Sequence, residues 1–289
     1  MKAGVIGLGA MGHGIAANLA RAGLLAAVWN RTRSKAEAFA GEHGVAVADE
    51  PATVAAAADV ILVSVSADND LLGVVDALKE GLEPGKVVVD TSTVAPDTAR
   101  EAAERIRATG AGFLDAPVSG GPEGARKGSM VMMIGGDEAV LDRIRPVLDP
   151  ICASANFMGP SGAGQATKAV NQIMVAGIMQ GVASALAYGR GQGLDLEQVI
   201  RVVGGGAAGN WQLDNRGPNM VHDQFPPGFK LALHRKDLGI VRDVLAAKGL
   251  SLELIDRTLA DYDRLIESGH GDEDISALYR LRCSELGSG

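Results

Sequence analysis

The stretch Ala3-Gly4-Val5-Ile6-Gly7-Leu8-Gly9-Ala10-Met11-Gly12 decides the fold of this chain. A short apolar run ends in G-x-G-x-x-G, and an alanine-rich helical pattern, Gly12–Ala22, follows. Gly7 permits a tight turn, Gly9 lets backbone approach a pyrophosphate, and Gly12 lets helix and strand pack closely. The helix N-terminus offers N–H donors and partial positive charge to phosphate. The spacing alone is common. With a strand before it, a helix after it and a second strand ending about twenty residues on, it predicts a dinucleotide site at Gly7, Leu8, Gly9, Ala10, Met11 and Gly12.

Outward from this turn, apolar runs at Ala26–Trp29, Val60–Val65, Val87–Asp90, Gly112–Asp115 and Met130–Ile134 alternate with helical patterns at Ser34–Ala40, Asp68–Lys79 and Pro96–Arg107. Strands alternating with helices predict an α/β domain, a doubly wound and mostly parallel sheet covered on both faces. The near-continuous apolar strands suit that burial. The pattern changes near Gly159–Gly164, after which strand signals cease. Ala163–Arg190 reads as one long helix, apolar nearly all round and therefore buried. Helical segments follow at Leu196–Val203, Asp237–Lys248, Glu253–Ser268 and Ile275–Arg282. The expected division is a dinucleotide-binding domain over 1–160 and an all-helical domain over 161–289. The apolar stretch Ile173–Tyr188, interrupted by Gln180, falls short of the ~20 residues a membrane span needs. With no signal-peptide pattern at the start, the chain reads as a soluble cytoplasmic protein. Gly287–Gly289 read as a disordered tail.

The second strand ends Val28-Trp29-Asn30-Arg31-Thr32. A site for NAD usually places Asp or Glu here for the ribose hydroxyls. None is present. Asn30 is neutral, Arg31 supplies a guanidinium fork suited to phosphate, and Thr32 and Arg33 can add donors. This favours NADP, with NAD as the second option; the alternative is a solvated basic turn with no part in selectivity. Ligands in open α/β sheets bind beyond the carboxyl ends of strands. Val65-Ser66-Ala67 and Thr91-Ser92-Thr93 lie there, as cofactor contacts or as ordinary helix caps.

In mid-chain, Asp115-Ala116-Pro117-Val118-Ser119-Gly120-Gly121 follows another apolar strand. Ser119, Gly120 and Gly121 can gather a hydroxyl and several N–H groups in one small volume, a nest for a carboxylate or phosphate oxygen. A plain glycine turn reads the same residues structurally. Lys168 and Asn171, three residues apart, share a helix face. An ammonium on an otherwise apolar helix is costly to bury without a purpose, unless it snorkels or pairs. The pair could hold a small polar substrate and exchange a proton with it. Lys236 precedes Asp237, which reads as an N-cap or first-turn acid; Lys236 could reach a cofactor or substrate, and a surface lysine is the stronger reading from the residues alone.

Across 289 residues the formal charge is −8, which disfavours nucleic acid and anionic membranes as partners. Two distant cysteines imply neither a disulfide framework nor a zinc site. Five histidines show no metal-ligand spacing.

The motifs GLGAMGHGIAANLARAG, DTST, DAPVSGGPEGA, GAGQATKAVNQ and FKLALHRKDLG, in this order along nearly the whole chain, resemble the β-hydroxyacid dehydrogenases. That family includes 3-hydroxyisobutyrate dehydrogenase, tartronate semialdehyde reductase and the glyoxylate and succinic semialdehyde reductases. The resemblance implies a Rossmann-type N-terminal domain, an all-α C-terminal domain, a site in the cleft between them, and a homodimer or homotetramer packed through the helical domain. It implies that Lys168 is the catalytic lysine and Asn171 its substrate-binding partner. Ser119, Gly120 and Gly121 match the substrate loop, and Thr93 and Lys236 match cofactor contacts. The substrate is then a small hydroxy acid or semialdehyde, and the lysine works best with its pKa lowered toward neutrality. 6-Phosphogluconate dehydrogenases are similar in architecture but carry His-Asn after the lysine, where this chain has Ala-Val-Asn171-Gln172. Imine reductases share the fold and typically lack the lysine. Trp211 reads as lying near the pocket mouth, either shaping selectivity or as plain core. The rival from another class is a non-catalytic dinucleotide-binding scaffold or sensor.

Overall fold

The computed structural model describes residues 1–287; Ser288 and Gly289, in the expected disordered tail, lie outside the described residues. The chain divides into two compact units, Met1–Lys168 and Ala169–Gly289.

The first unit alternates strand and helix: β1 (Ala3–Ile6), α1 (Ala10–Arg21), β2 (Leu25–Trp29), α2 (Arg33–His43), β3 (Ala46–Val47), α3 (Pro51–Ala57), β4 (Val60–Val63), α4 (Asp68–Leu78), β5 (Val87–Asp90), α5 (Pro96–Arg107), β6 (Gly112–Asp115), β7 (Val118–Ser119), α6 (Gly121–Lys127), β8 (Met130–Gly135), α7 (Glu138–Leu148) and β9 (Cys152–Gly159). The sheet runs β3-β2-β1-β4-β5-β6-β8-β7, with β9 on β8. Its first six strands follow the 3-2-1-4-5-6 order of dinucleotide-binding sheets. All pair in parallel until β8, which runs antiparallel to β6 and β7.

Side-chain alternation splits the central strands between two cores. Val5, Leu62, Val87 and Val89 face one core with Ile15 and Leu19 of α1 and Phe39 of α2. Ile6, Ile61, Val63 and Val88 face the other with Val54 of α3, Leu71 and Val75 of α4 and Ile106 of α5. Helices therefore cover both faces, and the strands' carboxyl ends are left to the loops.

Lys86 is buried just before β5, and its ammonium donates to the carbonyls of Ala55 and Ala58, both at 2.8 Å, where α3 ends. Those carbonyls have no partner of their own within the helix. Lys86→Met is expected to lower stability by about 1–3 kcal/mol, read as the urea midpoint at unchanged m-value. An unchanged midpoint removes this capping role.

The second unit holds most of α8 (Ala163–Gly191), then α9 (Leu196–Gly204), α10 (Trp211–Val221), α11 (Leu231–Ala246), α12 (Glu253–Glu267), a short 3-10 turn at Ile275–Ala277, and α13 (Leu278–Glu285). Its core joins Ala176, Met179, Ala183 and Leu186 of α8 with Leu238, Leu259, Tyr262 and Leu278. Those α8 positions recur at three- and four-residue steps, one face of a helix.

The structure corrects three expectations. First, α8 is 29 residues long and, by length and composition, apolar enough to cross a membrane. The Ile173–Tyr188 stretch is shorter because Asn171 and Gln172 end the apolar run on the Lys168 side, while the helix itself continues through them. Second, α8 is not buried all round: Val170, Met174 and Tyr188 are 56%, 61% and 61% exposed. Third, α11 begins at Leu231 rather than Asp237. Asp274 accepts from the Gly228 and Phe229 N–H groups (3.1 and 2.9 Å) and so fixes where the helix starts.

Candidate active site

The glycine loop keeps its shape by contacts that admit no side chain at two of its three glycines. Gly7 has φ +90°, and a Cβ there would run into the Ser64 carbonyl. At Gly12 a Cβ would strike the Gly7 carbonyl. Gly9 differs: a Cβ there meets no non-neighbouring atom within 4 Å. It occupies the cap position of α1, and no side chain bonds the first-turn N–H groups. Those donors and the helix dipole thus face open space, which suits a pyrophosphate. This cradle fits the dinucleotide that the spacing predicts.

Asn30 sits just past β2, where the sequence points to a direct cofactor contact. Its amide braces the loop: Oδ1 accepts from Leu8 N–H at 2.9 Å, and Nδ2 donates to the Thr32 carbonyl at 2.9 Å. The Arg31 side chain is 82% exposed, with Nη1 2.9 Å from Asp70 Oδ1. Thr32 takes the cap position of α2 without a side-chain cap bond.

The ends of β4 and β5 are tied together. Ser92 Oγ accepts from Val65 N–H at 2.9 Å, and Ser92 N–H donates to Asp90 Oδ1 at 3.0 Å. Ser66 and Thr93 cap neither following helix, since the cap positions belong to Ala67 and Ala95. Ser92 shares this corner with Thr91, whose Oγ1 donates to the Val63 carbonyl at 2.8 Å. The motif DTST offered both, but spacing alone could not single them out.

Lys168 is set by two residues whose part the sequence did not reveal. Asp115, fully buried at the end of β6, accepts from Gly162 N–H (2.8 Å) and Gln165 N–H (3.0 Å) where α8 begins. Burial pushes its carboxyl above the usual aspartate range, and the N–H bonds from Gly162 and Gln165 pull the other way. Gln165 is clamped to the loop after β5: Nε2 donates to the Ser92 carbonyl (2.8 Å) and Oε1 accepts from Val94 N–H (3.2 Å). One signal was available: a carboxylate closing the apolar run Gly112-Phe113-Leu114 and a carboxamide within an Ala/Gly stretch need buried partners.

So anchored, α8 carries Lys168, which is 8% exposed, with Nζ donating to the Val118 carbonyl at 2.9 Å. The next residues are Ser119, Gly120 and Gly121. Gly120 (φ +125°) and Gly121 (φ +62°) take positive φ, which only glycine adopts readily. Gly121 opens α6, which packs on α1: Asn18 Nδ2 donates to the Ala125 carbonyl at 2.6 Å, and a Cβ on Gly14 would meet Ala125 backbone. The first unit therefore brings the Lys168 amine next to the SGG loop, and that loop's helix against the helix of the glycine turn.

In the second unit, Asn171 lies one helical turn beyond Lys168 on α8. Its Nδ2 donates to Gln172 Oε1 at 2.8 Å, and Gln172 Nε2 donates to Asp237 Oδ2 at 2.7 Å. Lys236 Nζ lies 3.0 Å from Asp237 Oδ1. Asp237 is a buried acid inside α11 rather than a first-turn cap, and it ties Lys236 to Gln172. Trp211 is 61% exposed with the Arg216 guanidinium over its ring, so it is not core. Cys152 and Cys283 are both buried as thiols, and burial pushes the Cys152 thiol up to about 11. Among the described residues no cluster of three or more His, Cys, Asp or Glu could hold a metal.

Residues 2–159 match the model of the NAD binding domain of 6-phosphogluconate dehydrogenase. Residues 162–282 match that of the NAD-binding domain of NADP-dependent 3-hydroxyisobutyrate dehydrogenase. An uncharacterised oxidoreductase of Shewanella frigidimarina is 39% identical over 98% of this chain and 99% of its own length. The 2-hydroxy-3-oxopropionate reductase of Escherichia coli is 37% identical over 88% of this chain and 87% of its own. The solved structure of Mycobacterium tuberculosis 3-hydroxyisobutyrate dehydrogenase with L-serine superposes with a TM-score of 0.90. It is 31% identical and covers 97% of this chain and 98% of that one.

Proposed function

This chain belongs to the β-hydroxyacid dehydrogenase family and is an NAD(P)-dependent oxidoreductase, and on that premise we propose that it interconverts a short β-hydroxy acid and its semialdehyde, prefers NADP(H), and uses Lys168 as general acid and base. The Lys168 amine carries this function: it is buried, and 2.9 Å from the carbonyl of the residue that precedes Ser119-Gly120-Gly121.

In the oxidising direction the neutral Lys168 amine takes the proton of the substrate hydroxyl. In the reducing direction its ammonium gives that proton back to the carbonyl oxygen. Such acid–base help contributes about 10²–10⁴ in rate. Hydride transfer is the chemistry supplied by the nicotinamide dinucleotide when bound. The Ser119 hydroxyl and the Gly120 and Gly121 N–H groups receive the substrate carboxylate, and Asn171 is a second substrate contact. Asp115 and Gln165 position the helix that carries the lysine. On the cofactor side, Gly7 to Gly12 cradle the pyrophosphate. Val65, Ser66, Thr93 and Lys236 are further contacts, and Arg31 with Thr32 takes the 2′-phosphate that distinguishes NADP. The exposed stripe of Val170, Met174 and Tyr188 on α8 supports a homodimer or homotetramer formed through the helical unit, in a soluble cytoplasmic enzyme.

The test is NADPH oxidation against a panel of glyoxylate, tartronate semialdehyde, methylmalonate semialdehyde and succinic semialdehyde. At least one should turn over with kcat/KM on the order of 10⁴ M⁻¹s⁻¹ or better, and faster with NADPH than with NADH. No turnover of any member overturns the substrate class. A higher kcat/KM with NADH overturns the cofactor preference.

A further inference from the structure

The turn that follows β2 holds two arginines, and both are engaged by acids. Arg33 is held by Glu37 (2.8 Å) and Asp49 (2.5 Å). Arg31 is met by Asp70, in the first turn of α4. The two pairings differ in kind. Glu37 and Asp49 both hold Arg33 at the start of α2. Asp70 reaches Arg31 from the first turn of α4, beyond the carboxyl end of β4, the side of the sheet where ligands bind. Its side chain is 30% exposed, against 82% for Arg31, so the acid is the more fixed partner and the guanidinium the more mobile. The Asn30 amide braces the glycine loop. Arg31 is therefore the side chain of this turn best placed to change partner.

We infer that Asp70 tunes the choice between NADP and NAD, an inference that rests on Arg31 being the receiver of the 2′-phosphate. A phosphate dianion reaching Arg31 must displace the Asp70 carboxylate and then lie close to it. The displacement itself costs little, because an ion pair this exposed is weak. The repulsion between carboxylate and dianion remains after displacement and opposes NADP selectively. With a free 2′-hydroxyl the same carboxylate is an acceptor, the service that an acid at the end of β2 gives elsewhere. Asp70 thus supplies from α4 the acid that β2 lacks. The turn accepts both cofactors, with a preference for NADP held below what Arg31 alone would give.

The test uses adenosine 2′,5′-bisphosphate and adenosine 5′-monophosphate as probes, titrated calorimetrically into the intact protein, so that no turnover is needed. Asp70→Asn keeps the side chain's size and removes its charge. It should tighten the 2′,5′-bisphosphate about five- to twenty-fold at low salt, an effect shrinking as ionic strength rises. The 5′-monophosphate should bind no tighter. Equal tightening of both probes, or a bisphosphate affinity within about twofold of the parent, overturns the inference. Arg31→Ala separates the two layers. If it leaves bisphosphate affinity intact, the phosphate role of Arg31 falls and this inference with it. If it weakens the bisphosphate while Asp70→Asn changes nothing, only the inference about Asp70 falls.

Discussion

Lys168→Ala binds NADPH as the parent does and loses about 10²–10⁴ of its turnover. The two halves of this result separate because the amine and the cofactor cradle are built from different parts of the first unit. The cradle is backbone at Gly7–Gly12, braced by Asn30. The amine reaches the Val118 carbonyl from α8. Removing it leaves that carbonyl without this donor, at a cost of about 1–3 kcal/mol, so a melting curve accompanies the kinetics. NADPH binding is followed by its fluorescence, and turnover with the best member of the semialdehyde panel. Turnover within twofold of the parent, in a variant that still melts cooperatively, would remove Lys168 from the chemistry. Turnover and NADPH binding lost together would instead mean that the lysine is structural.

The glycine loop yields the second large effect, through a contrast within one motif. Gly12→Ala forces a methyl into the Gly7 carbonyl. Overpacking of this kind costs about 1–3 kcal/mol or more, and a melting temperature lower by several degrees should follow. Gly9→Ala meets no such obstacle, since its surroundings are open and its φ of −71° suits any residue. That variant should melt like the parent and yet bind NADPH at least about tenfold more weakly, because its methyl occupies the space where backbone approaches pyrophosphate. A Gly9→Ala protein with parental NADPH affinity would show that the pyrophosphate does not sit there.

Much of the first unit was legible because its signals are local. β5, α5 and β6 run as their residue patterns predict, since apolar runs and helix starts are written in neighbouring residues. The helices that escaped the sequence are interrupted by proline or are short. α7 contains Pro146 and α10 contains Pro218, while α3 and α6 are only 7 residues each. β9 alternates exposed and half-buried positions and reads as loop without β8 beside it. The start of α11 depends on Asp274, far along the chain. The site shows the same division. Lys168, the SGG loop and the glycine turn announce themselves by residue type and spacing. Asp115 and Gln165 do not, because their partners lie 50 and 73 residues away.

Asn30 holding the Leu8 N–H, with Gly7 and Gly12 seated against carbonyls, means that the loop proposed to cradle the phosphates stands finished in the protein alone. Little of the association energy is then consumed in ordering the loop, and no slow rearrangement has to precede capture. Changes to this loop are then expected to alter cofactor affinity mainly through the rate of release.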